Sequence, residues 1–233
     1  MILLEIIIFF LSIIFFSISI SGYGKLISLK KKNFFLELFL GIIIITLFVT
    51  LIHLFFKINL WISFLIFISG LFIFLFKKNS ELIKFFDKKN INYLILIFLL
   101  LPIYISQKYH EDFGYYHLPY AISFLEEKII FGFANINDAY VYNSLWLNLY
   151  SIFFLPDKNF NFLTLPSFIL FFNFILFAFY QIYSKNETSM SNYYLIVVLF
   201  YFILKFTRIS EFGFDLPAII FSILSIYYFI KFS

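Results

Sequence analysis

Apolar residues along this chain come in long runs, separated by short segments that hold most of the charged side chains. A helix needs about 20 apolar residues to cross the hydrocarbon core of a bilayer, and several of the runs approach that length. The pattern therefore predicts an all-α, polytopic transmembrane protein with about seven spans. The predicted spans are residues 2–20, 34–56, 60–76, 91–106, 162–183, 193–206 and 216–230.

Composition agrees with a membrane protein. The 233 residues are 63% hydrophobic and 13% charged, whereas soluble domains average about 45–50% apolar and about 25% charged residues. Lysines beside the apolar runs account for the net charge of +4, so we expect the lipid bilayer as a partner and no nucleic acid. The chain has no cysteine, which excludes disulfides, thiolate catalysis and cysteine-ligated metal.

The lysines also predict an orientation. They are concentrated after the first span, at residues 25–32, and after the third span, at residues 77–89. Loops rich in lysine and arginine usually stay in the cytoplasm. We therefore expect a non-cytoplasmic N-terminus and a non-cytoplasmic loop after the fourth span.

That loop, residues 107–161, is too long to be a simple connector. It divides the chain into a four-helix region at 1–106, the loop itself, and a three-helix region at 162–233. Two helices are predicted in the loop, one at 118–128 with Pro119 in its first turn and one at 143–154, with a turn-rich linker at 131–138. The second helix carries Trp146 and Tyr150 four residues apart, which suits the membrane interface. The loop is thus predicted to fold as a helical cap.

The opening of the cap carries the candidate chemistry. Glu111 and Asp112 directly follow the fourth predicted span. A carboxylate at a membrane boundary can act as a general base or bind a cation, whereas a solvated helix end is the simpler alternative. His110 and His117 would align on a helix, but Gly114 between them is expected to break it. For both histidines an interfacial hydrogen-bonding role is the alternative. His53, at the end of the second span, is expected to be an interfacial histidine.

Two motif blocks suggest a family. The run EDFGYYHLPY at 111–120 and the run RISEFGFDLPA at 208–218 resemble an uncharacterised family of bacterial multi-pass proteins from surface-polysaccharide clusters. The likeness also covers Gly132, Asn135, Asn137, Ser144 and residues 153–156. Acidic residues in the first large outer loop, directly after a transmembrane helix, are similar to those of the GT-C superfamily of glycosyltransferases.

The resemblance implies sugar transfer from a polyprenyl-phosphate donor during envelope polysaccharide assembly, at the outer face of the bacterial inner membrane. Asp112 would take the proton from the acceptor hydroxyl. Glu111 would assist it, or the two would hold a divalent cation if the reaction uses one; no other cofactor is implied. His117 and Tyr116 would contact substrate.

The second block would supply the phosphate contacts. Arg208 and Lys205 would neutralise the departing lipid phosphate, because a guanidinium pairs with phosphate through two parallel hydrogen bonds. Glu211 and Asp215 would orient Arg208. The alternative for Arg208 is an anchor at the membrane interface. The proposal requires Asp112 and Arg208 to meet in one wet pocket.

Two other functions stay open. One is a transporter or flippase subunit for lipid-linked sugar, and the other is a non-catalytic assembly protein that binds envelope partners. Only about three spans follow the acidic loop, fewer than in GT-C enzymes. We therefore expect the chain to be a truncated version of such an enzyme or to act with a partner.

Overall fold

The computed structural model describes residues 2–27, 33–77, 112–136, 138–141, 144–154, 164–184, 189–205 and 212–233. Within these ranges the fold is all-α, as the sequence predicts. A π-helical turn, Phe113–His117, and two 3-10 turns, Phe133–Asn135 and Asp138–Val141, accompany eight α-helices. The helices are α1 (Ile2–Ile27), α2 (Phe34–Phe55), α3 (Leu60–Phe76), α4 (Leu118–Glu126), α5 (Leu145–Phe154), α6 (Leu165–Ser184), α7 (Met190–Leu204) and α8 (Asp215–Phe232).

Four of these helices are long and apolar enough to cross a membrane, which indicates an integral membrane protein. They are α1, α2, α6 and α8, and α3 and α7 are shorter apolar helices of 17 and 15 residues. Seven spans are therefore not shown. The span predicted at 91–106 lies outside the described residues.

Glycines let α1 approach α2 and α3 closely. A Cβ at Gly22 would overlap the carbonyl oxygen of Gly70 on α3, and one at Gly41 on α2 would overlap the carbonyl oxygen of Ile20. The hydroxyl of Ser19 donates to the Phe67 carbonyl at 2.6 Å. Close backbone contact through small residues is a common way for helices to associate in lipid, where the hydrophobic effect between helices is absent.

One end of the bundle is marked by lysines. The Lys25 ammonium donates to the carbonyls of Phe74 and Lys77, both at 3.0 Å, and the Lys77 ammonium donates to the Lys25 carbonyl at 2.8 Å. Each cation thus caps the C-terminus of the other helix, where the helix dipole favours positive charge. We call this the lysine end. Helices α1 and α3 finish there, and α2 begins there at its N-cap Asn33.

The C-terminal helices join the same bundle. The Asn173 amide on α6 donates to Ser17 on α1 at 2.9 Å. The Tyr227 hydroxyl on α8 donates to the Gln181 side chain near the end of α6 at 3.1 Å. Helices α6 and α8 therefore run in parallel toward the lysine end, and α7 returns between them toward the opposite end. Residues 112–136 and 138–141 of the cap lie at that opposite end, which we call the cap end.

Helix α5 enters the bundle instead of lying on its surface. All eight side chains from Trp146 to Phe153 are buried. The Phe153 ring contacts Phe16 and Phe67, with centroid distances of 4.9 and 5.0 Å, halfway along α1 and α3. Ten residues of helix extend about 15 Å, half of a hydrocarbon core of about 30 Å. The prediction of an amphipathic interfacial helix is therefore wrong.

Helix α6 starts at the same level as α5. The Ser167 hydroxyl near its beginning lies 2.7 Å from the Tyr150 hydroxyl and accepts from the Trp146 indole at 3.3 Å. Farther along α6, Asn173 reaches the level of Ser17, next to the Phe16 that Phe153 contacts. The two helices therefore run side by side from the cap end, and only α6 continues to the lysine end. Helix α5 therefore ends halfway along the bundle.

The glycine contacts generate a stability prediction. Gly70→Leu should destabilise the protein by about 1–3 kcal/mol, because the side chain cannot fit unless α1 and α3 separate. The midpoint of thermal unfolding in detergent measures the effect. Gly114→Ala is the matched control, since a Cβ there meets no atom within 4 Å. Equal midpoints for both variants would show that the close approach does not contribute.

Candidate functional site at the cap end

The first motif block folds as a wide helical turn. Asp112 precedes the π-helical turn Phe113–His117, which continues directly into α4. Pro119 lies in the first turn of α4, as predicted. Gly114 does not break the helix, contrary to expectation; it is exposed, and the wider π turn includes it. The Tyr116 hydroxyl donates to a carboxylate oxygen of the half-buried Asp112 at 3.4 Å.

His117 is buried in an aromatic cage. Its ring centroid lies 4.3 Å from that of Tyr116, 5.9 Å from Phe212 and 5.6 Å from Phe214. Between the two phenylalanines, a Cβ at Gly213 would lie 3.5 Å from Cε1 of His117. The segment 212–214 therefore lies directly against the imidazole.

Tyr150 of α5 holds that segment in place. Its hydroxyl donates to the Gly213 carbonyl at 2.8 Å and also lies 2.7 Å from the Ser167 hydroxyl. Its ring lies 4.4 Å from the Phe212 ring, and Phe212 in turn contacts Phe113 at 5.2 Å. The two motif blocks, about 100 residues apart in the sequence, thus meet on α5.

The structure brings together three of the predicted site residues: Asp112, Tyr116 and His117. Asp215 is exposed in the first turn of α8, one residue after Phe214, and Lys205 is exposed just after the last turn of α7. An acid at a helix N-terminus and a base at a C-terminus are also favoured by the helix dipole.

Glu111, Arg208 and Glu211 lie outside the described residues, as does His110. The pocket shared by Asp112 and Arg208 therefore stays a prediction. Across the ranges that the structure describes, no group of three or more histidine or acidic side chains could hold a metal ion.

His53 connects the cap to α2. It is completely buried, not interfacial as expected. Its Nε2 lies 2.9 Å from the Glu127 carbonyl oxygen, and its Nδ1 lies 3.1 Å from Oδ1 of Asn148 on α5. The Asn148 amide donates to Thr50 at 3.3 Å, and the Ile129 N–H donates to the His53 carbonyl at 3.0 Å. We call these contacts the His53 clasp.

An aromatic cluster supports the far side of α4. Phe133 and Tyr140, from the two 3-10 turns, stack at a centroid distance of 4.3 Å, and Tyr120 contacts both rings. Burial, and then the neighbouring Tyr140 phenol, raises the pKa of Tyr120 above its usual value. Tyr120 therefore stays protonated at neutral pH and serves as packing.

Sequence reasoning missed the His53 clasp and the role of Tyr150. One signal was present: α5 has no charged residue, and its polar side chains Asn148, Tyr150 and Ser151 do not lie on one face. An interfacial helix carries a strongly polar or charged face. Uncharged polar groups distributed around a helix are instead expected where protein surrounds it.

A family model described as a domain of unknown function, DUF8201, matches residues 1–233. The chain belongs to the DUF8201 family. No curated protein matches the chain, and no solved structure does. The family match therefore includes the bundle, the cap and both motif blocks, and it assigns no activity to them.

The His53 clasp generates a second prediction. His53→Leu should lower the free energy of unfolding by about 1–3 kcal/mol, because it leaves the Glu127 carbonyl oxygen and Oδ1 of Asn148 without their imidazole partner. Thermal unfolding in detergent measures the loss. Ser222→Ala is the control, since that exposed hydroxyl bonds only to its own helix. A His53 variant as stable as the control would contradict the clasp.

The Tyr150 contact generates a third prediction. Tyr150→Phe should raise the rate at which a maleimide labels a cysteine introduced by Gly213→Cys, because the segment loses its anchoring hydrogen bond. The natural absence of cysteine makes the reporter unique. Tyr227→Phe is the control, because it removes a tyrosine hydrogen bond at the lysine end. Unchanged labelling in the Tyr150 variant would show that the bond does not hold the segment.

Proposed function

We propose that this protein is a membrane glycosyltransferase of the GT-C type that takes sugar from a polyprenyl-phosphate donor during envelope polysaccharide assembly. The cap end would face the non-cytoplasmic side, where lipid-linked sugars are used. The lysine end would face the cytoplasm, in agreement with the preference of basic segments for that side.

The observation that carries the proposal is the convergence of the two motif blocks. Phe212, Gly213 and Phe214 pack against Phe113 and His117. The unit Asp112–His117 and the start of α8 are thus held together by α5. A reaction site built from residues distant in sequence needs such a rigid support.

The proposed chemistry has one covalent step. An acceptor hydroxyl attacks the anomeric carbon, the bond from that carbon to the phosphate oxygen breaks, and polyprenyl phosphate leaves. Asp112 takes the hydroxyl proton, and Tyr116, which donates to that carboxylate, orients it. Arg208 and Lys205 would stabilise the negative charge on the departing phosphate.

A second candidate is a transporter or flippase subunit for lipid-linked sugar, and the position at which α5 ends favours it. Many secondary transporters use helices that end within the membrane, with substrate sites near the midplane. Helix α5 ends beside Phe16 and Phe67, halfway along α1 and α3. In this candidate, α5 would line the path of the substrate.

Substitution of the proposed base tests the leading candidate. Asp112→Asn should abolish the transfer of labelled sugar from polyprenyl-phosphate donors in detergent-permeabilised membranes, with the protein present at its normal level. Removing a general base reduces rates by about 100- to 10,000-fold. Asp138→Asn, a change of an exposed cap carboxylate, should leave transfer intact.

The permeabilised assay also separates the candidates. A flippase is required only while the membrane is sealed. If Asp112→Asn loses sugar transfer in sealed vesicles and detergent restores it, the result would favour the transporter candidate over the glycosyltransferase. Normal transfer by Asp112→Asn in both preparations would reject the proposed catalytic role. A non-catalytic assembly protein would then be the remaining function.

A further inference from the structure

The turn after α4 exposes apolar side chains at the cap end. Residues 128–132, which we call the cap tip, contain Ile130 and Phe131, and Phe131 is 83% exposed. Gly132 has a φ of +80°, a left-handed conformation that reverses the chain and that glycine adopts without strain. The cap tip is therefore a formed turn that presents a phenylalanine at its outermost point.

The His53 clasp fixes the position of the cap tip along the axis of α2. The Ile129 N–H donates to the His53 carbonyl at 3.0 Å, so the tip begins beside the last turn of α2. Because α2 is one of the helices long enough to cross a membrane, its end marks the edge of the hydrocarbon region. Ile130 and Phe131 follow directly from that point.

The same level carries other exposed aromatic residues. Phe55 and Phe56 at the end of α2 and Trp61 in the first turn of α3 are all largely exposed. Two exposed lysines, Lys57 and Lys128, stand among them. Aromatic rings with neighbouring lysines are typical of the layer where lipid headgroups meet acyl chains, because the rings bury there while the ammonium groups reach phosphate.

We propose that the cap tip inserts into the bilayer leaflet at the cap end, with Phe131 among the upper acyl-chain segments and Lys128 at the lipid phosphates. The tip extends the lipid-facing surface of α2 and α3 onto the cap. It anchors α4 to the membrane from outside the bundle, while the His53 clasp anchors the end of α4 from inside. The leaflet would thereby hold the candidate site at a constant height above the acyl chains.

Tryptophan fluorescence tests this insertion. Phe131→Trp is made in a Trp61→Phe background, which removes the exposed native tryptophan. The fluorescence of the buried Trp146 is measured in the Trp61→Phe protein and subtracted. The protein is reconstituted into phosphatidylcholine and phosphatidylglycerol vesicles with or without brominated acyl chains. Phe56→Trp in the same background is the lipid-facing reference. Asp138→Trp, at an exposed charged cap position, is the aqueous reference.

Quenching of Phe131→Trp by brominated chains, several-fold greater than that of Asp138→Trp and similar to that of Phe56→Trp, is the expected result. Quenching no greater than that of Asp138→Trp would overturn the proposal. A blue-shifted emission without bromine quenching would also overturn it, because the tip would then be covered by protein. A nitroxide on Phe131→Cys gives an independent depth measurement should the tryptophan variant fold poorly.

Discussion

The organisation of this protein depends on the constraint that polar groups inside a membrane bundle must find partners in the protein, since lipid offers none. Helix α5 brings an amide, a phenol and hydroxyl groups into the interior. The contacts of Asn148 with Thr50 and His53, and of Tyr150 with Ser167 and Gly213, meet that constraint. Together these contacts join α5 to α2, to α6 and to the segment 212–214. The polar groups therefore determine which segments surround α5, whereas the many phenylalanines fill the space between them.

This arrangement couples the cap to the bundle through two separate connections. Toward α2, the His53 clasp holds the end of α4 and the first half of α5. Toward α8, Tyr150 holds the Gly213 backbone, and Phe212 and Phe214 enclose His117. Buried hydrogen-bond networks of this kind specify one arrangement, because a partly satisfied network is costly in an apolar interior. Asp112 and Tyr116 are thus carried on a turn whose position is fixed from two sides.

Sequence reasoning predicted the all-α class, the cap helix with Pro119 in its first turn, and the turn-rich linker, because each follows from a local pattern. Apolar length identifies a span, and a proline suits only the first turn of a helix. The depth of α5 and the burial of His53 follow from tertiary contacts instead. A histidine near the end of an apolar run has the same local pattern whether it faces headgroups or an asparagine on another helix. Likewise, sequence identified both motif blocks but not the tyrosine that joins them, because Tyr150 belongs to neither.

Residues 212–215 of the second motif block each contribute differently to this part of the fold. Gly213 lies within van der Waals distance of His117, and its carbonyl accepts a hydrogen bond from Tyr150. The flanking phenylalanines then meet the imidazole from both sides. One residue later Asp215 begins α8, where a carboxylate is favoured by the helix dipole. The block therefore connects the buried histidine to the start of a long helix within four residues. The ring contacts of His117 with Phe212 and Phe214 therefore place the buried imidazole next to the N-terminus of α8.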